Sequence, residues 1–277
     1  MILIDNNQII IGSLFAQTKS GQEISEDLVR HMVLNTYRFF KNKFSKEYGE
    51  LVICHDSPQV WRKDFFPEYK ANRKKQKQKS SLDWDNVFTI FDMIRTEVQD
   101  NFPYKHLYVP KTEADDIIAT LVKKYHQEEK ILIISSDKDF QQLQRFSNVK
   151  QYTPLHRKLL NCENPQKFLL EHIIKGDSSD GIPNILSDDD SFVNEDKRQK
   201  PCGKKKMKVI TDDLETWTSE RNWQRNQTLI DFSYIPEEIE NQILEQYENQ
   251  EPSGRSNILN YMITHRLKNL MEVIEEF

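Results

Sequence analysis

The sequence predicts an α/β fold, with a central, mostly parallel sheet flanked by helices. Three observations carry that prediction. Ile131-Leu-Ile-Ile134 is an unbroken run of branched apolar residues, the habit of a strand buried on both faces of a helix-covered parallel sheet. Residues 1–5 and 51–56 are further short apolar runs that stop at an aspartate, just as the 131–134 run stops at Ser135-Ser-Asp-Lys-Asp139. Stretches of helical periodicity separate these runs, so strand and helix alternate. With 277 residues the chain can bury a sizeable core, as one large domain or as a core with a smaller appendage.

Taken in order, Met1-Ile-Leu-Ile-Asp5 is the first strand, and a helix follows over about 25–46. Ser25 is its N-cap, and Leu28, His31, Met32, Asn35 and Phe39 form its stripe. Leu51-Val-Ile-Cys-His-Asp56 is a strand closed by the turn signal Ser57-Pro58. Val87, Phe88, Phe91, Ile94 and Val98 predict a helix over 84–101, and residues 106–109 a strand. Ile117, Ile118, Leu121, Val122 and Tyr125 make one apolar face, so 113–125 is helical, with Thr112 and Asp115 spaced as a capping box. A strand at 149–152 and a helix at 165–174 come next, ending in the sharp loop Gly176-Asp-Ser-Ser-Asp-Gly-Ile-Pro183. Residues 187–208 lack periodicity and read as an exposed, mobile insertion. Helices at 215–227, 236–247 and 256–274 close the chain. The division expected is a core over 1–180 and a helical region over 181–277.

Apolar residues make up 37%, charged residues 30%, and mean hydropathy is −0.75. That balance suits a protein with much charged surface. Cys54, Cys162 and Cys202 are odd in number and scattered, which excludes a disulfide framework or zinc motif and fits a reducing cytoplasm. The first residues have neither the basic start nor the apolar length of a signal peptide, and no apolar run approaches a membrane span.

The net charge of −5 hides opposed patches. Residues 62–79 carry eight Lys/Arg against two acids, and residues 197–208 carry seven against none. Either could be a solvated face. In the first, however, Trp61, Phe65, Phe66 and Tyr69 are interleaved with the cations, a mixture suited to stacking on bases and gripping phosphates.

Acids recur at strand ends and helix starts: Asp5, Asp56, Glu113, Asp115, Asp116, Asp137 and Asp139, with Asp177 and Asp180 in the 176–183 loop. Helix capping accounts for one or two of them. Nine carboxylates at one sheet edge would repel and raise each other's pKa unless cations neutralised them. Oxygen donors without His or Cys suit hard ions, Mg²⁺ or Mn²⁺. Of the 44 acids, 35 then remain against 39 Lys/Arg. An anionic nest in a mildly basic body is the electrostatic outline of a metal-dependent nuclease.

These residues resemble the structure-specific 5′ nucleases, the family of flap endonucleases and of the 5′ nuclease domains of bacterial polymerases, and within it the ribonuclease H branch of T-even bacteriophages. The resemblance is carried by Leu-Ile-Asp5, Val-Ile-Cys-His-Asp56, Trp61-Arg-Lys-Asp-Phe, Glu68-Tyr-Lys-Ala-Asn-Arg73, Glu113-Ala-Asp-Asp, Ser135-Ser-Asp-Lys-Asp139 and Gly176-Asp-Ser-Ser-Asp180. It implies a 5′ nuclease/PIN-like core with a helical arch over about 57–82. By the same likeness Asp5, Asp56, Glu113, Asp115 and Asp137 would surround one ion, with Asp116 nearby, and Asp139, Asp177 and Asp180 would serve a second. Two Mg²⁺ per site are implied, with Mn²⁺ as a substitute.

Lys70 and Arg73 match basic arch residues that contact the scissile phosphate, and Arg62 and Tyr69 would help hold the 5′ strand. Lys74 and Lys77 extend the basic arch. After Pro183 the chain departs from the Gly-rich duplex-gripping motif of most relatives. That argues against the monovalent cation (K⁺) often bound there, and moves duplex contact to Lys204, Lys205, Lys206 and Lys208. RNA·DNA hybrids and branched or flapped DNA are the implied substrates for a monomer without membrane contact, in the host cytoplasm if phage-encoded. A replication clamp or single-stranded-DNA-binding protein could dock on the C-terminal helix, for which core packing is the plainer reading. The rival readings are a PIN-type ribonuclease, a haloacid-dehalogenase-like phosphatase, and a nonenzymatic replication factor on a decayed nuclease fold.

Overall fold

Alternating apolar residues on short strands determine the architecture, seen here in a computed structural model that describes residues 1–18, 24–73 and 83–277. Six strands form one sheet: β1 (Ile2–Asp5), β2 (Leu51–Cys54), β3 (Lys105–Leu107), β4 (Ile131–Ile134), β5 (Val149–Thr153) and β6 (Lys158–Leu160). Their order is β3-β2-β1-β4-β5-β6. The first five are parallel and β6 returns antiparallel to β5. The chain builds outward from β1 in one direction, then returns to add β4 on its other side. The β1/β4 boundary is therefore the switch point of the sheet, where open α/β folds open a crevice at the carboxyl ends of their strands.

Strand residues divide cleanly between the two faces, as a two-residue repeat requires. Ile2, Ile4, Ile53, Leu132 and Ile134 pack with helices Glu26–Tyr48 and Trp84–Asn101. Leu3, Val52, Cys54, Ile131 and Ile133 pack under helices Ala114–Tyr125 and Glu237–Asn249. A third cluster joins Val60, Phe66 and Tyr69 of the arch base to Ile173, Ile174 and Ile182 and to Trp223, Leu229 and Ile230 of helix Arg221–Ile230. Residues beyond 181 contribute to all three clusters, and Phe277, fully buried, rests edge-on against Phe102.

Several local expectations need correction. In helix Glu26–Tyr48, Ser25 caps as expected, but the buried stripe is Val29, Met32, Val33, Tyr37 and Phe40, while His31 and Phe39 face outward. The helix is apolar over a wide arc, and contact with the sheet selects one edge of it. The capping box on helix Ala114–Tyr125 is Glu113 with Asp116, not Thr112 with Asp115. Thr112 lies one residue before the N-cap, with its hydroxyl turned back to donate to the Val109 carbonyl at 2.9 Å.

The 187–208 stretch is pinned rather than loose. Asn184 Nδ2 donates to the Lys200 carbonyl at 2.8 Å, Ser187 Oγ accepts from the Lys200 amide at 2.8 Å, and Arg225 reaches Asp189 at 2.6 Å. Its basic end is already helical, as Lys204–Asp212. The final helix is broken, into Ser256–Thr264 and Lys268–Met271, where Arg266 takes a left-handed φ of 53°. Helix Asn6–Thr18, strand β6 and the 3₁₀ turn Asp139–Arg145 are additional elements that no clear periodicity announces.

Candidate metal centre

Register brings the acids together. β1, β2 and β4 run parallel, so Asp5, Asp56 and Asp137 all lie at one edge. The Ala114–Tyr125 helix begins at the same edge, because Ala114 N–H donates to Asp56 Oδ1 at 2.8 Å. Asp5 Oδ2 accepts from Ser135 Oγ at 2.8 Å, and Asp56 Oδ2 from Asn7 Nδ2 at 3.0 Å. Asp137 Oδ1 accepts the Asp139 amide at 3.0 Å, which folds the chain after β4 into the nest.

Among the described residues, Asp5, Asp56, Asp115 and Asp137 form no ion pair. Their charges act on one another instead. Burial, then Asp56 and Asp137, pushes Asp5 up to about 7. Burial, then Glu113, raises Asp56; burial, then Asp137 and Asp5, raises Asp115 well above the carboxylate range. Asp137 is raised by burial and by Asp180 and Asp177. Four acids, one buried and three half-buried, that resist ionisation together make a site short of positive charge, and oxygen donors in that state fit a hard divalent cation.

The arch side is different. Arg62 is 3% exposed and pairs with Asp116 at 2.8 Å and Glu113 at 3.1 Å. Lys70 pairs with Glu113 and lies 3.5 Å from Asp180, and Arg73 reaches Asp180 at 2.6 Å. Burial opposes it, but Lys70 and Arg62 pull Glu113 down to about 2. Tyr69, also buried, donates to Glu113 at 2.9 Å and to Asp180 at 3.1 Å. Arg62 and Tyr69 thus spend these donors inside the fold, and Arg62 Nε also donates to the Leu229 carbonyl at 3.0 Å. Lys74 and Lys77 lie outside the described residues.

The arch base is docked on the 176–183 loop. Lys70, itself left-handed at φ 57°, donates its amide to the Asp180 carbonyl at 2.7 Å. Gly176 has φ +67°, and a Cβ there would stand 2.3 Å from the Ile182 carbonyl oxygen, so only glycine fits. This turn aims Asp177 and Asp180 at the nest.

Asp139 and Asp177 meet at a residue that sequence reasoning missed, His172. Its Nδ1 lies 3.4 Å from Asp139 and its Nε2 3.1 Å from Asp177. These three are the one group of metal-ligating side chains found close enough to share an ion among the described residues. The sequence signal was available, since His172 lies four residues before Gly176 on a helix that ends at the loop. Asp177 also accepts from Ser179 N at 2.8 Å and pairs with Lys138 at 3.0 Å. Although burial works against it, these bonds, with that of His172 first, hold its carboxyl far below the usual range. Asp139 is raised, by burial and then by Asp137, Asp177 and Asp180.

A cleft of about 1190 Å³ opens beside the nest, with Asp56, Lys70, Arg73 and Glu113 on one side and Trp84, Phe88 and Arg95 on the other. Lys204, Lys205, Lys206 and Lys208 are all exposed on helix Lys204–Asp212. No helix among the described residues is long and apolar enough to cross a membrane.

Fold and site together define an α/β enzyme that gathers carboxylates from several strand ends over one crevice, the class of the acid-nest nucleases. Comparison with known proteins carries this further. Residues 1–170 match the model of the 5′-3′ exonuclease N-terminal resolvase-like domain, and residues 165–277 that of the C-terminal part of T4 RNase H. The chain is similar to the ribonuclease H of Enterobacteria phage T4, 33% identical over 289 residues that cover 99% of this chain and 95% of that protein. A 5′-3′ exonuclease of Mycoplasmopsis pulmonis is 30% identical over 66% of this chain and 61% of its own. Among solved structures, a zinc-bound 5′-exonuclease of T5 shares 16% identity, covering 90% of this chain and 98% of its own, at a TM-score of 0.63. A T5 flap endonuclease complex with DNA and metal ions shares 17%, covering 90% and 99%, at 0.61. The chain belongs to the 5′-3′ exonuclease family, in its T4 RNase H branch, and is a nuclease.

Proposed function

We propose that this nuclease works from 5′ ends in a 5′ to 3′ direction, with flap endonuclease activity, removing RNA primers and adjacent DNA during lagging-strand replication. The observation that carries the reading is the set of four carboxylates without an ion pair among the described residues, Asp5, Asp56, Asp115 and Asp137, gathered at the sheet edge where Asp56 and Lys70 line the cleft. Asp5, Asp56, Asp115 and Asp137, with Glu113, would hold one Mg²⁺, with Asp116 behind them. Asp139, Asp177 and Asp180 would serve a second, in part indirectly, and Mn²⁺ would substitute. When bound, such ions supply an activated water and charge neutralisation at the phosphate. The chain's own residues do the rest. Lys70 and Arg73 face the cleft and would meet the scissile phosphate, adding stabilisation as charge builds in the transition state. Products would carry a 5′ phosphate and a 3′ hydroxyl.

The aromatic and basic lining of the cleft suits a single strand with a 5′ end, and the arch over 57–82 would clamp it. The region beyond 181 would bind duplex through Lys204, Lys205, Lys206 and Lys208. A clamp or single-strand-binding protein has less support at the C-terminus, since Phe277 is fully buried in the core. The test is cleavage of RNA·DNA, nicked and flapped duplexes. Mg²⁺-dependent release of short 5′ oligonucleotides is expected. A chain that leaves these intact yet frees phosphate from small esters would be a phosphatase instead. Lys70→Ala should slow cleavage by about 10²–10³-fold with ion binding retained; cleavage at the parental rate would remove Lys70 from the chemistry.

A further inference from the structure

His172 stands in the nest in a way that no other part of the site explains. It is 6% exposed, on the last turns of helix Pro165–Lys175, and each ring nitrogen faces a carboxylate. Asp177 Oδ2, with Lys138 on its other side, is a pure acceptor, so it takes the proton of Nε2 at 3.1 Å. In that tautomer Nδ1 presents a lone pair to Asp139 Oδ1 at 3.4 Å. Both atoms are buried and neither has a hydrogen-bond partner. Two buried acceptors aimed at each other repel unless something positive lies between them. Donors that share one cation, each about 2.1 Å from it, stand roughly 3.0–3.4 Å apart in octahedral or tetrahedral coordination. A carboxylate behind the ring, here Asp177, is the usual device for holding a metal-bound imidazole in its tautomer.

We propose that His172 Nδ1 is a direct nitrogen donor to the second cation, beside Asp139, with Asp177 as the positioning residue that orients the ring. The inference rests on the two-ion reading above and adds a selectivity to it. The position formed by Asp5, Asp56, Glu113, Asp115 and Asp137 has oxygen donors alone and suits Mg²⁺ and Mn²⁺, whereas an imidazole shifts the second position towards borderline ions such as Zn²⁺ or Fe²⁺. The two positions therefore differ in what they choose. The competing account is a proton shared between Nδ1 and Asp139, with no ion bonded to the ring.

Pulsed electron paramagnetic resonance on the full chain separates the two accounts, with Mn²⁺ alone as the probe. At two Mn²⁺ per chain, a strong ¹⁴N coupling is expected, converting to the ¹⁵N pattern when histidine is ¹⁵N-labelled. At one Mn²⁺ per chain it should be absent. His172→Phe should abolish the coupling and weaken the second binding step about tenfold or more, leaving the first step as it was. Asp177→Asn should keep the coupling and weaken the same step less. Two bound Mn²⁺ without histidine coupling would overturn the proposal and leave the two-ion nuclease reading intact. Failure to bind a second ion at all would remove both. The wild-type spectrum decides the matter even where a variant fails to fold.

Discussion

Two groups of acids share the carboxyl edge of the sheet and behave in opposite ways. Asp5 is buried and Asp56, Asp115 and Asp137 are half-buried, all without an ion-pair partner among the described residues, and their pKa values rise. Glu113 and Asp116 are buried and Asp180 half-buried, and Arg62, Lys70 and Arg73 neutralise them. Asp115 and Asp116 are chain neighbours on one helical turn, and the roughly 100° between successive side chains sends them to different groups. Burial of a carboxylate is thus no guide to its job. A built-in counter-charge sets how much further positive charge each acid needs, since a protein that leaves several enclosed acids unpaired leaves room for a mobile cation.

The sharpest way to break this comparison is to remove charge from the unpaired group. Asp137→Asn should reduce cleavage of a flapped duplex by on the order of 10³-fold or more, with duplex binding by gel shift nearly unchanged. If binding fell in parallel, Asp137 would support the fold or the duplex surface rather than the chemistry.

Removing the counter-charge from the paired group should cost stability instead. Arg62→Met leaves Asp116 and Glu113 without their buried cation, and a loss of about 3–5 kcal/mol is expected in denaturant titration. A small loss would show that Lys70 alone suffices.

The unpaired group should also couple ion binding to protons. Asp5 titrates near 7 in the folded chain, against an ordinary value of 3.8. Without a divalent ion, the stability this raised value contributes is fully present below about 3.8 and is lost as pH rises through about 7. With the ion, the bound proton must leave, so affinity should climb as pH rises from 5.5 through about 7. Calorimetry in two buffers of different ionisation heat should detect proton release at pH 6 that fades at higher pH. Affinity independent of pH across this range would show that the nest is ionised before the ion arrives.

The smallest effect belongs to the basic helix Lys204–Asp212. Lys206→Ala should lower the slope of log affinity against log salt by about one and weaken all duplexes alike. Preference for one sequence or an unchanged slope would take Lys206 out of the duplex surface.

Much of this was legible before any coordinates. Short apolar strands ending in aspartate, the Glu113-Ala-Asp-Asp helix start and the Gly176 loop are local signals, because burial on both faces, helix capping and sharp turns each leave a pattern a few residues long. Those patterns determined the sheet, its edge and the acids on it. Tertiary structure alone decided which acids are neutralised, since Arg62 meets Glu113 and Asp116 across 51 and 54 residues of chain. It also decided that His172 joins Asp139, that the 187–208 stretch is tied down by Arg225, and which edge of the Glu26–Tyr48 helix faces the sheet. Sequence periodicity records how a segment relates to its own neighbours; charge pairing and ligand convergence depend on which segments the fold brings within a few ångströms.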